Sequence, residues 1–168
     1  MKSIRLLTGR TLQCVQPSIW KLEYEVRSGA EVVGTIRFPK ALSRKAEAES
    51  GDGQWIIADR GIFKQKLFVT RANDQKPVAE YVFGAFGENK IRLSESRRLR
   101  LKRDFWKHEY ALTTDMNMLL FKLKERAGLK GVIDIDLDKR AESTEELPWL
   151  FFLVLYIAIS NRRQRKAG

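Results

Sequence analysis

Cysteine and histidine are almost missing from this chain, and their scarcity removes whole classes of chemistry. Cys14 is the single cysteine of 168 residues, which excludes an intrachain disulfide and a cysteine-rich zinc site and gives no reason to look outside a reducing compartment. His108 is the single histidine, so neither a catalytic triad nor a multi-histidine metal site can be assembled around it. His108 lies between Trp106 and Tyr110 in an alternating stretch and is expected half-buried on an apolar face. Cys14 has no activating neighbourhood and is expected as a small buried hydrophobe. The phosphate loop G-x-x-x-x-G-K-[ST], the dinucleotide signature G-x-G-x-x-G and the hydrolase elbow G-x-S-x-G are all absent, and Gly84-Ala85-Phe86-Gly87 reads as a bend. No catalytic constellation emerges, so the chain is expected to be non-enzymatic and to need no cofactor.

Other absences concern organisation. Met1 to Arg10 has neither a long apolar core nor a small-residue cleavage pattern, which argues against a signal peptide. There is no linker, low-complexity segment or repeat of fixed period, so residues 1–168 are expected to form one domain. Acid is also in short supply: 21 Asp and Glu face 32 Lys and Arg, for a net charge of +11 and a pI of about 9.9. Such a field favours phosphates, of nucleic acid or of an anionic membrane surface.

What is present is alternation with period two, cut by turn signals into about a dozen short strands, the spacing of an all-β sandwich or barrel. Trp20, Leu22, Tyr24 and Val26 share one face. Beyond a Ser28-Gly29 turn, Val32, Gly34, Ile36 and Phe38 read as inward, with Gly34 leaving room for something bulky. Ala79, Tyr81 and Phe83 form another inward set. Leu99 and Leu101 point inward against Arg98, Arg100 and Lys102. Trp106, His108, Tyr110 and Leu112 share a face, as do Leu119, Phe121 and Leu123, and Ile133, Ile135 and Leu137 oppose Asp134, Asp136 and Asp138.

The chain then changes character. Leu147 to Ile159 is apolar throughout, and a helix without a polar face has to be surrounded. Its 13 or so positions span roughly 20 Å, short of the ~30 Å of hydrocarbon a spanning helix must cross. A helix over about 147–160 with a basic tail, 161–168, is therefore expected inside the protein. Ser143 and Glu146 have capping-box spacing and Pro148 suits a first turn, which puts the start between Thr144 and Pro148. A barrel of about twelve strands is too wide for its own side chains to fill, since about eight is where they meet. The helix supplies the plug. Leu147, Leu150, Phe151, Leu153, Val154, Leu155 and Ile157 are its expected core, at about 1.5 to 3 kcal/mol for each large side chain buried.

This layout resembles the tubby C-terminal-like superfamily, which includes the LURP-one-related proteins and the phospholipid scramblases. The resemblance is carried by Trp20-Lys21-Leu22-Glu23-Tyr24, Val33-Gly34-Thr35-Ile36 and Glu146-Leu147-Pro148-Trp149-Leu150. It implies a closed, roughly twelve-stranded antiparallel barrel enclosing the C-terminal helix, and it suggests phospholipid association, since tubby proteins hold phosphoinositide headgroups with basic residues on the barrel surface. Scramblases carry a calcium-binding acidic segment before the helix, and Asp134, Asp136 and Asp138 lie in the corresponding place. Carboxylates two apart on a strand stand roughly 7 Å from one another, however, which favours a solvated face over a shared calcium ion.

The candidate binding surface is a basic stripe. Arg97, Arg98, Arg100, Lys102 and Arg103, with Lys90 and Arg92 on the preceding strand, are expected along one outer sheet surface. An anionic phospholipid or phosphoinositide surface is the expected partner. Nucleic acid is disfavoured because Trp106 and Tyr110 read as inward, whereas base stacking needs exposed rings. The protein is expected to be a cytoplasmic monomer, peripheral at the membrane. The alternatives are a soluble interaction module whose charges serve solubility, and a membrane protein anchored by Leu147 to Ser160.

Overall fold

The computed structural model describes residues 1–59, 66–83, 88–93, 96–128 and 131–168. Twelve strands are found there: β1 (Thr11–Val15), β2 (Glu23–Ser28), β3 (Glu31–Arg37), β4 (Ala46–Ser50), β5 (Gly53–Asp59), β6 (Lys66–Arg71), β7 (Pro77–Val82), β8 (Glu88–Arg92), β9 (Arg98–Asp104), β10 (Glu109–Thr114), β11 (Leu119–Glu125) and β12 (Ile133–Leu137). Each pairs antiparallel with its neighbours in sequence, and β1 closes on β12 with Leu12 opposite Ile135. The result is an up-and-down barrel, in which closure leaves no sheet edge for another chain to extend. The bend read at residues 84–87 lies outside the described residues.

The helix α1 (Leu147–Ala167) runs through the barrel, and all thirteen residues from Leu147 to Ile159 are buried. This is the expected plug, and its fit is set by ring packing. Phe151 lies 6.0 Å from the Phe121 ring and 5.3 Å from that of Phe152, while Phe152 lies 5.8 Å from Trp55. Gly34 is where the wall makes room: a Cβ there would stand 2.9 Å from Phe152 Cζ and 3.1 Å from the Glu49 carbonyl oxygen. Any side chain would push the Phe152 ring away. Further along, Phe38 stacks on Tyr156 at 5.6 Å, and the Tyr156 hydroxyl donates to the Arg44 carbonyl at 2.7 Å.

Two short 3-10 helices, Ile4–Leu7 and Lys139–Ser143, close the end where α1 begins, burying Ile4, Leu7 and Ala141. Ser143 caps nothing in α1. Its hydroxyl donates to the Arg140 carbonyl at 3.2 Å, and Glu146 makes no side-chain cap, so the capping box does not form. Pro148 occupies the first turn of α1 as expected. The basic tail is helical to Ala167 rather than separate from the helix.

Several inward assignments fail at strand ends, where period two stops applying. Trp20 precedes β2 and is exposed, and Trp106 and His108 lie in the β9–β10 turn, where His108 takes a left-handed φ of 52°. Phe83 has run past the end of β7 and is exposed. A register shift between Val26 and Arg27 turns Val33 into the core instead of Val32. Another between Leu112 and Thr113 buries Leu120 where Leu119 is expected. The anchored alternative is also corrected: Leu147 to Ile159 is enclosed by the barrel, and no helix among the described residues is long and apolar enough to cross a membrane.

Candidate anion-binding face

Strand β9, Arg-Leu-Arg-Leu-Lys from position 98, puts Leu99 and Leu101 into the core and so forces Arg98, Arg100 and Lys102 outward. Ile91 does the same for Lys90 and Arg92 on β8. The register then sets Lys90 opposite Arg100 and Arg92 opposite Arg98. Directly opposed residues on one face of an antiparallel pair hold their Cβ atoms about 4.5–5.5 Å apart, and like charges so placed are destabilising. Two such pairs stand side by side here.

Among the described residues, Lys90, Arg92, Arg98, Arg100 and Lys102 form no ion pair. Lys90, Arg98 and Arg100 line a concavity of about 300 Å³ together with Ser96 and with Asp115, the one carboxylate there among the described residues. A guanidinium offers paired N–H donors in a plane, which matches two oxygens of a phosphate. An anion in the concavity would also relieve the repulsion across the strands.

Two members of the expected stripe lie elsewhere. Arg97 precedes β9 and pairs with Glu146 at the start of α1. Arg103 has the inward parity of Leu101 and tucks its guanidinium 4.3 Å from the Phe105 ring centre and 5.4 Å from that of Tyr110. The outer face is therefore five cations, not seven.

The acidic strand is engaged residue by residue. Asp134 accepts from Gln13 at 3.1 Å and pairs with Arg126, and Asp136 accepts from the Thr11 hydroxyl at 2.7 Å. Asp138 accepts two bonds of 2.9 Å from the Arg140 side chain and one from its backbone N–H, which pull its carboxyl down to about 2. Among the described residues no three His, Cys, Asp or Glu are grouped to hold a metal ion. Cys14 is buried, and desolvation pushes its thiol up to about 12 against the pull of Arg162, so it carries no thiolate at neutral pH. His108, expected in the core, is solvent-facing. Its carbonyl accepts from the Glu125 N–H at 3.0 Å.

No protein-family model matches the chain, and no curated protein matches it. Among solved structures it is similar to an X-ray structure of a protein from Arabidopsis thaliana, at 8% identity and a TM-score of 0.60, with 93% of each chain covered. At that identity the likeness is one of fold.

Proposed function

We propose that this protein is a non-enzymatic, tubby-like barrel of the LURP-one-related kind that associates reversibly with anionic phospholipid surfaces through the outer face of β8 and β9. The barrel around a C-terminal helix and the likeness to the Arabidopsis fold support the first half of that reading. The second half rests on one observation, the two opposed like-charge pairs Lys90–Arg100 and Arg92–Arg98, whose four cations form no ion pair among the described residues although Glu80 stands opposite Arg92 on β7. A face kept basic only for solubility gains nothing from setting cations directly opposite one another.

Magnitude bounds the interaction. Near an anionic leaflet each cation contributes about 1 kcal/mol, so five give about 5 kcal/mol and a dissociation constant between millimolar and micromolar. Binding of that kind is reversible and screened by salt. Sedimentation with phosphatidylserine-containing vesicles, but not with pure phosphatidylcholine, is expected at low salt and should fade as salt rises. Absence of sedimentation, or sedimentation indifferent to salt, would sink the reading. A parallel titration with a single-stranded oligonucleotide covers the alternative. Salt-dependent oligonucleotide binding without vesicle binding would reassign the face to nucleic acid.

A further inference from the structure

Among the described residues, large exposed apolar side chains are unevenly placed on this barrel. Met1, Leu6 and Met116 lie toward the end where α1 begins, and six more gather at the rim where it emerges: Ile19 and Trp20 between β1 and β2, Leu42 between β3 and β4, Phe83 after β7, and Phe105 and Trp106 between β9 and β10. Trp20, Leu42 and Trp106 are 88%, 96% and 95% exposed. Lone exposed apolar residues are ordinary, but a ring of them at one end, two being tryptophans, is not.

The connections at the same rim are basic, while Glu23, Asp59, Asp104, Glu109 and Glu125 end the strands beneath them. In the described connections 16–22, 38–45, 105–108 and 126–128, and in the end of α1 from Ser160, every charged side chain is basic. The opposite end mixes signs, with Asp52, Asp74, Asp115, Glu142 and Glu145 among its turns. The tips are held rather than floppy. Asp104 Oδ1 accepts from the backbone N–H of Trp106 and of Lys107, each at 3.0 Å, and Ser18 Oγ accepts from the Trp20 N–H at 3.3 Å. Arg163 donates to the Ala41 carbonyl and lies 4.3 Å from the Phe38 ring centre, tying the emerging helix to the connection that carries Leu42.

We infer that this rim is an insertion edge for an anionic lipid bilayer, with Trp20, Leu42 and Trp106 entering the interfacial layer and the surrounding lysines and arginines meeting headgroup phosphates. The inference rests on the reading above that the partner is an anionic phospholipid surface, and assigns a second part of the barrel to it. Three considerations select a bilayer as the occupant. The apolar tips stand apart around the ring, the β1–β2 tip separated from the β9–β10 tip by β11 and β12, and a plane touches separated tips where a protein partner would need a continuous patch. Tryptophan favours the boundary between hydrocarbon and headgroups. Arg44, Lys107, Arg126 and Arg165 pair with carboxylates there, but Lys21, Lys40, Arg162, Arg163 and Lys166 pair with no described carboxylate and complement an anionic leaflet. The Trp106 tip crowns β9, whereas the concavity lined by Ser96, Arg98 and Asp115 lies toward the other end of that strand, so the rim and the concavity are separate surfaces. Attraction by the face alone is weak; insertion of the tips adds the part that salt does not screen.

Tryptophan fluorescence tests this directly, because Trp55 and Trp149 are buried and report separately from Trp20 and Trp106. With phosphatidylserine–phosphatidylcholine vesicles carrying brominated acyl chains, the wild-type emission should shift to the blue and be quenched. In Trp20→Ser/Trp106→Ser both changes should vanish and vesicle affinity should fall about tenfold or more, while Met116→Ser at the opposite end leaves both as they are. Sedimentation without quenching overturns the insertion edge and leaves the β8–β9 face standing. Undiminished sedimentation and quenching in Lys90→Glu/Arg98→Glu/Arg100→Glu leaves the edge standing and removes the face. Wild-type affinity in the double tryptophan variant, or rim-dependent capture of a protein with no vesicle binding, also overturns the proposal.

Discussion

Two sectors of the same wall use their outward positions in opposite ways. On β11 and β12 the register sets Lys122 opposite Asp136 and Lys124 opposite Asp134, and Lys124 also lies 3.5 Å from Glu109 on β10. On β8 and β9 the register sets cation against cation twice, beside one opposite-charge position, Glu88 against Lys102. Both sectors close the same barrel around the same helix, so neither arrangement is required by the fold. Alternating signs give each cross-strand pair roughly 0.2–1 kcal/mol, and like signs forfeit it. The β8–β9 sector therefore carries a local instability that a bound anion would remove, and that is the physical reason to look for its ligand there.

The largest expected effect separates the sectors by binding. Lys90→Glu/Arg98→Glu/Arg100→Glu removes three cations at about 1 kcal/mol each, so affinity for acidic vesicles should fall at least about a hundredfold. Lys122→Glu/Lys124→Glu should lose far less affinity and should lower the unfolding midpoint instead. Equal losses of affinity in the two would erase the distinction. Next comes a change that touches both sectors through the core. Gly34→Val presses on Phe152 and should cost about 1–3 kcal/mol in denaturant unfolding, while vesicle affinity per folded molecule stays as it was.

Smaller effects sharpen the contrast. Arg98→Glu alone creates an opposite-charge pair with Arg92 and should raise stability by about 0.2–1 kcal/mol, whereas Asp136→Lys, facing Lys122, should lower it by a similar amount. Both are read from thermal or denaturant midpoints, and a destabilising Arg98→Glu would show that the β8–β9 cations are not in conflict. The smallest effect is at Asp138, whose folded carboxyl lies below its unfolded value of about 3.9. A depressed value stabilises the fold above the unfolded one, and that contribution is lost as pH falls toward about 2. The pair is near the surface, so Asp138→Asn should cost only about 0.3–0.5 kcal/mol at pH 6 and progressively less as pH falls through about 2, measured as the difference in unfolding free energy from wild type.

Much of this architecture is legible in the chain because burial imposes a period. The all-apolar run of α1, the alternation in β9 and β12, and Gly34 facing something large all follow from which side chains must avoid water. Legibility fails where that constraint ends. Trp106 and His108 continue an alternating pattern on paper, but the chain has already turned, and a β-turn imposes no inside and outside. Strand β4, Ala46-Glu47-Ala48-Glu49-Ser50, carries almost no apolar signal because its inner face needs only alanine beside Trp55 and the helix. Val33 replaces Val32 in the core because a bulge inserts one residue, and no local composition announces it. The candidate face is legible as a run of cations. Its opposed pairs are not, since they depend on the β8–β9 register, and the same register leaves Arg97 and Arg103 out of it. The exposed tryptophans at the rim stay hidden for a related reason: tryptophan is read as core until a turn presents it to solvent.

The plug of this barrel comes after every stave. All twelve strands precede Leu147 in the chain, so during synthesis each emerges from the ribosome before the segment that will cover its inner face exists. Strand pairing alone would enclose an empty lumen lined with Leu, Ile and Phe, which offers little reward until α1 arrives. Until then those inner surfaces are open to improper partners, and the nascent protein is the form most in need of a chaperone.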